Sequence, residues 1–170
     1  MRKAVMPFVL SVGLIAVWAA PADAASTRAE YVAQVDPICQ SFEGQLDGAF
    51  GALNTNFKRM VRAAKARKGR AFIRGIRRTV SSLNGLAGVH ENLSAQIAAV
   101  PPGAADSGTV GSWLNYLREE AGFERGAAAS LGVFKFRQFQ SQLRQADQAL
   151  RSGQVAIAGF GFQVCGVAVF

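Results

Sequence analysis

The chain carries one histidine and two cysteines in 170 residues. With that donor set, and with both cysteines expected to be oxidised, no zinc site has the ligands it needs. No nucleophile elbow, phosphate loop, CxxC pair or HExxH occurs, so the signatures of hydrolases and nucleotide binders are missing. The expectation is therefore a non-enzymatic protein with no cofactor and no metal. Prolines number five, with Pro7 and Pro21 ahead of any helical seam, and strand-like alternation is scarce. Both absences lean the chain toward helix. Half the residues are apolar, which excludes a disordered polar tract. Acids are the minority charge, 11 against 19 basic residues, for a formal net charge of +8.

What is present starts with an export signal. Arg2 and Lys3 precede an apolar run from Ala4 to Ala20, and Ala22-Asp23-Ala24 sets small residues where a signal peptidase reads. Cleavage is expected after Ala24, placing the protein outside the cytoplasm, secreted or in a bacterial cell envelope. The competing reading is a retained anchor, but the run is short for a bilayer span and Pro7 interrupts it. No Cys stands at the cleavage site, so lipid attachment there is excluded. Residues 25–170 then form one domain of ordinary size.

Two cysteines in an exported chain most often pair. The bridge is Cys39–Cys165 or nothing within the chain, the alternative being two buried thiols.

Four helices are expected. Thr27-Arg28-Ala29-Glu30 reads as a capping box. Behind it Tyr31, Val35, Ile38, Phe42, Ala49, Leu53, Phe57, Met60 and Ala64 step by threes, fours and one seven. Asp36-Pro37 either caps a fresh helix start or kinks the helix, which should stop near Gly69. A second seam is cleaner: Phe72, Ile76, Thr79, Leu83, Leu86, His90, Leu93, Ile97 and Val100, ended by Pro101-Pro102-Gly103. A third helix begins near Ser107 or Thr109 and carries Val110, Trp113, Leu117, Ala121 and Ala128, breaking near Gly132. The fourth seam runs Phe136, Phe139, Leu143, Ala146, Leu150, Gly153, Ile157 and Phe160. Short connections between four antiparallel helices give an all-α up-down-up-down bundle. That topology brings Cys39 and Cys165 to one end. Heptad seams also permit dimerisation.

Tyr31-Val32-Ala33-Gln34-Val35-Asp36-Pro37-Ile38-Cys39 and Gly161-Phe162-Gln163-Val164-Cys165-Gly166 resemble the two ends of a loose group of small exported bacterial helical proteins. The resemblance covers these two end segments and no more. It implies a disulfide-closed helical domain in the cell envelope and brings no activity and no functional residues with it.

The strongest candidate for function is charge. Lys58, Arg59, Arg62, Lys65, Arg67, Lys68, Arg70, Arg74, Arg77 and Arg78 follow one another with no acid among them. They straddle the tip of the first helical hairpin. Cations at the end of helix one suit its dipole, but Arg70, Arg74, Arg77 and Arg78 open helix two, where cations are disfavoured by roughly 0.3–1 kcal/mol each. An anionic partner would offset this, and outside the cytoplasm that means anionic lipid headgroups or acidic envelope polymers. The bland reading is a solubilising tip. Export sets nucleic acid aside as a physiological partner.

Other features read as structural. His90 lies on the second seam as a register or core hydrogen-bonding residue. Glu91, one residue on, points elsewhere on that helix. Glu119, Glu120 and Glu124 are expected on a wet face, or paired with basic residues such as Arg118 and Arg125. Phe57 and Phe72 fall on seams and read as core. Phe134 lies off its seam, either because the helix boundary is misplaced or because an aromatic patch is exposed; the first is favoured. Asn92-Leu93-Ser94 matches a glycosylation sequon inside a helix and is discounted. The competing functional class is a protein–protein module, with a groove between helices three and four holding a partner helix.

Overall fold

The computed structural model describes residues 27–165. The expected signal segment 1–24 lies outside them, as do residues 166–170. Four helices succeed one another: α1 (Arg28–Lys65), α2 (Gly69–Ala98), α3 (Ser107–Gly132) and α4 (Phe136–Ala156), with no strand among the described residues.

The caps act locally, as the sequence implies. The Thr27 hydroxyl accepts from the Glu30 N–H at 3.3 Å, and the Glu30 carboxylate accepts from the Thr27 N–H at 2.7 Å. This satisfies two otherwise orphaned donors. Asp36 does not start a new helix, because α1 runs unbroken through Pro37. The Asp36 carboxylate instead accepts from the backbone N–H groups of Gln163, Val164 and Cys165 at 2.8, 3.1 and 3.1 Å. It pins the tail to α1. At the other end of the chain, α4 stops at Ala156, before the last two members of its seam. Ile157 and Phe160 remain buried in the turns that follow.

Consecutive helices pack side by side in the up-down-up-down order. α1 meets α2, α2 meets α3 and α3 meets α4, but no Cα of α1 comes within 8 Å of one in α4. The bundle is therefore open along one edge. Gly75 permits a close α1–α2 approach: a Cβ there would lie 2.8 Å from Met60 Cα. The open edge is closed at one end by the tail. Cys39 of α1 and Cys165 are joined by a disulfide across 126 residues, with Cα atoms 5.3 Å apart.

Two apolar clusters divide the core. The larger lies at the disulfide end, around Tyr31, Val35, Phe42, Leu46, Ile97, Val110 and Trp113. Phe160 and Phe162 of the tail stack at 5.0 Å, Phe162 lies 5.2 Å from Trp113, and Arg28 sits over Phe160 at 4.8 Å. The smaller cluster, with Met60, Ile76, Leu83, Leu131 and Phe139, lies toward the hairpin tips. Phe57, expected in the core, is 36% exposed at the open edge. Its ring is 6.2 Å from that of Phe139. Without close backbone from α4, the middle of α1 is covered on one side only.

Candidate functional site

The α1–α2 and α3–α4 connections lie at the same end of the bundle, opposite the disulfide. The rings of Phe72 and Phe136, one from each hairpin, are 6.3 Å apart there. All ten basic side chains from Lys58 to Arg78 are exposed. Among the described residues none of the ten has an ion-pair partner; the pairs involving arginine are Arg28–Asp106, Arg125–Glu91 and Arg151–Asp147. Lys135 and Arg137 stand exposed beside the second connection. No acid occurs between residues 48 and 90 or between 125 and 146, the two stretches that build this end. Charge is thus segregated along the bundle, with acids gathered toward the disulfide.

Both connections have the same backbone device. Lys68 N–H bonds to the Ala63 carbonyl and Arg67 N–H to the Ala64 carbonyl; Lys135 N–H bonds to Ser130 and Phe134 N–H to Leu131. These are Schellman closures, whose left-handed position favours glycine. Here it is filled by Arg67 (φ 54°) and Phe134 (φ 62°). A side chain in that conformation costs roughly 1–2 kcal/mol. Phe134 is 50% exposed, and its neighbours Val133 and Phe136 are 61% and 41% exposed. Both readings of Phe134 hold: α4 starts only at Phe136, leaving Phe134 in the turn before it, and the aromatic patch is exposed. Both helices that begin at this end, α2 and α4, have basic N-cap residues, Lys68 and Lys135, without side-chain capping bonds.

A second cluster lies deep in the bundle and corrects the expectation for the acids. Glu120 and Glu124 are 3% and 4% exposed, not on a wet face. Both turn toward His90, itself 2% exposed. The imidazole donates through Nδ1 to Glu124 Oε2 at 3.1 Å, and Glu120 Oε1 lies 3.9 Å away. Arg125, the anticipated partner of these acids, forms a forked pair with Glu91 across the α2–α3 surface. Arg118 contacts Asn115. Glu119 is exposed.

Burial pushes the Glu120 carboxyl up to about 7; His90 pulls it back, while Glu124 and Asp147 add to the rise. Burial alone would lower His90, but its bond to Glu124 and the charges of both carboxylates raise it on balance. Both groups therefore bind protons more tightly folded than unfolded. The stability tied to Glu120 is present below the unfolded carboxyl value and is lost as pH rises toward 7. That tied to His90 is lost above the ordinary imidazole range. In chelating buffer, denaturant stability should fall by up to about 3 kcal/mol from pH 5 to pH 8. Glu120→Gln should flatten that fall, and an unchanged slope in the variant would refute the assignment.

His90 and Glu120 also line a mainly apolar cavity of about 50 Å³, bounded by Leu46, Trp113, Leu117, Gly153 and the disulfide. A further apolar hollow opens between α1 and α4, lined by Phe50, Leu53, Phe57, Leu83, Phe139 and Leu143. Between α3 and α4 the surface is a hollow of mixed polarity, lined by Thr109, Ser112, Tyr116, Gln148, Arg151 and Ser152 among others. Along the same pair of helices, a Cβ on Gly126 would meet the end of the Gln142 side chain, and one on Gly153 would touch Tyr116.

The fold defines a disulfide-closed helical bundle. No protein-family model, curated protein or solved structure matches the chain.

Proposed function

We propose that the protein is an exported, non-enzymatic domain that docks through its two hairpin tips on an anionic membrane surface. The observation that carries this reading is the pairing at one end of unpaired basic side chains with Val133, Phe134 and Phe136 exposed in their midst. Basic residues near an anionic lipid surface each contribute about 1 kcal/mol. Exposed aromatics add an apolar term that an acidic polymer, having no hydrocarbon phase, would not reward. The strained backbone at Arg67 and Phe134 supports the same reading, because glycine would relieve the strain and lose the side chain. Among the described residues no helix is long and apolar enough to cross a membrane. The contact proposed is peripheral.

Phe134→Gly tests this with two readouts. The variant should be more stable by about 1 kcal/mol in denaturant titration, since φ 62° costs glycine nothing. It should also bind anionic vesicles roughly tenfold more weakly, having lost an inserted ring. A variant that gains stability and binds vesicles as well as the parent would remove the aromatic residues from the site. Binding of acidic polysaccharide but not of vesicles would reassign the partner to an envelope polymer.

A further inference from the structure

We infer that His90, Glu120 and Glu124 form a binding site for one divalent transition-metal ion of the zinc type, open to the adjoining cavity. The sequence taken alone pointed to no metal. What changes the conclusion is the convergence of three donors from two helices. Their nearest ligand atoms all lie within 4.8 Å of one another, and each residue is at least nine-tenths buried. Donors at tetrahedral zinc distances stand about 3.3 Å apart. The observed 3.1 and 3.9 Å separations from Nδ1 bracket that value.

A histidine between two acids could be a closed hydrogen-bonded unit, but this one is incomplete. Glu120 Oε2 is buried and has no hydrogen-bond partner, one of two such side-chain atoms among the described residues. An unsatisfied carboxylate oxygen in the interior is costly, and a cation is the ligand it is built to meet. The charges agree. Two carboxylates and a neutral imidazole carry two negative charges, which one divalent ion cancels. For Nδ1 to ligate, an imidazolium loses its Nδ1 proton to solvent, or a neutral ring exchanges its hydrogen from Nδ1 to Nε2 through solvent, so the bound imidazole stays neutral. One imidazole and two carboxylates form a borderline donor set suited to Zn²⁺ and its neighbours; calcium would require six or more oxygens. Because His90 and Glu120 also line the cavity, a solvent molecule entering there would complete the coordination, as in open rather than closed zinc sites.

The site lies away from the tips, so its test is independent of membrane binding. The purified, disulfide-intact chain, stripped with chelator and dialysed, is titrated calorimetrically with Zn²⁺. One equivalent should bind with a Kd below about 10 μM. Glu120→Gln and His90→Gln should each weaken it by about a hundredfold or more, since even loss of an outer partner costs about 10–100-fold. Glu119→Gln, on the exposed neighbour, should bind as the parent does. Co²⁺ added to the parent chain should give the visible absorption of a low-symmetry nitrogen–oxygen site, a readout that does not depend on any variant folding. Absence of Zn²⁺ binding by the parent, or parent-like binding by a folded Glu120→Gln chain, would overturn the inference.

Discussion

Changing Arg70, Arg74, Arg77 and Arg78 to Gln should abolish sedimentation with anionic vesicles while leaving the fold intact. The four side chains are exposed at the start of α2 and lack ion-pair partners among the described residues. At about 1 kcal/mol for each basic residue near the surface, their loss amounts to about 4 kcal/mol, roughly a thousandfold in partitioning. The helix should not suffer, because removing Arg70 from the first turn, at the positive end of the dipole, and all four cations from a crowded like-charged end favours the folded state. The variant should therefore melt at or above the parent temperature. Salt provides the second axis. Between about 0.1 and 1 M the screening length falls from about 10 to about 3 Å, so parent binding should fade to the small residue held by Phe134 and Phe136. Parent binding that is unaffected by salt, or a variant that still pellets with anionic vesicles, would make these charges a solubility device and reject tip docking.

Breaking the Cys39–Cys165 bridge should produce the largest loss of stability available to a small change in this chain. The bond spans 126 residues, and the chain-entropy model assigns closure of so long a loop roughly 5 kcal/mol. Measured losses for native disulfides cover about 2–5 kcal/mol, a large share of a small domain's total. The open α1–α4 edge makes the bond matter more than in a closed bundle. Without it the tail is held to α1 by the Asp36 carboxylate and by the packing of Phe160 and Phe162 on Tyr31. The double variant Cys39→Ala and Cys165→Ala should lose at least about 2 kcal/mol in urea, the low end of that range. Its tail amides at residues 163–165 should exchange with solvent before those of α2. A loss below about 0.5 kcal/mol, the size of an ordinary surface substitution, would show that tail packing alone closes the bundle.

The helices and their order were legible because apolar side chains recur every three to four residues. The second seam shows this best. From Ile76 to Ile97 each member that the spacing marks is buried, His90 included. The third seam shows how legibility failed. Its members step from Ala121 to Ala128, a gap of seven with one heptad position missing. Glu124 fills that position, buried, with Glu120 beside Ala121 on the same face. Composition argued for a wet face, and the gap in the seam was the available signal to the contrary. Arg125 meets Glu91 and not Glu120 or Glu124 for a related reason: which acid meets which arginine depends on how α2 and α3 are rotated against each other.

The helical class, the caps, the pairing of two cysteines and a long basic stretch without acids follow from the order of residues in the chain. Each is either local or a count, so no knowledge of neighbours is needed. Packing settled the rest. It set the second hairpin's Phe134 and Phe136 beside the basic tip, left α1 and α4 apart, turned Asp36 to the tail and brought His90 against two glutamates. These depend on helix rotation and on the approach of residues far apart in the chain. That choice is made by packing across all four helices at once, and no single seam encodes it.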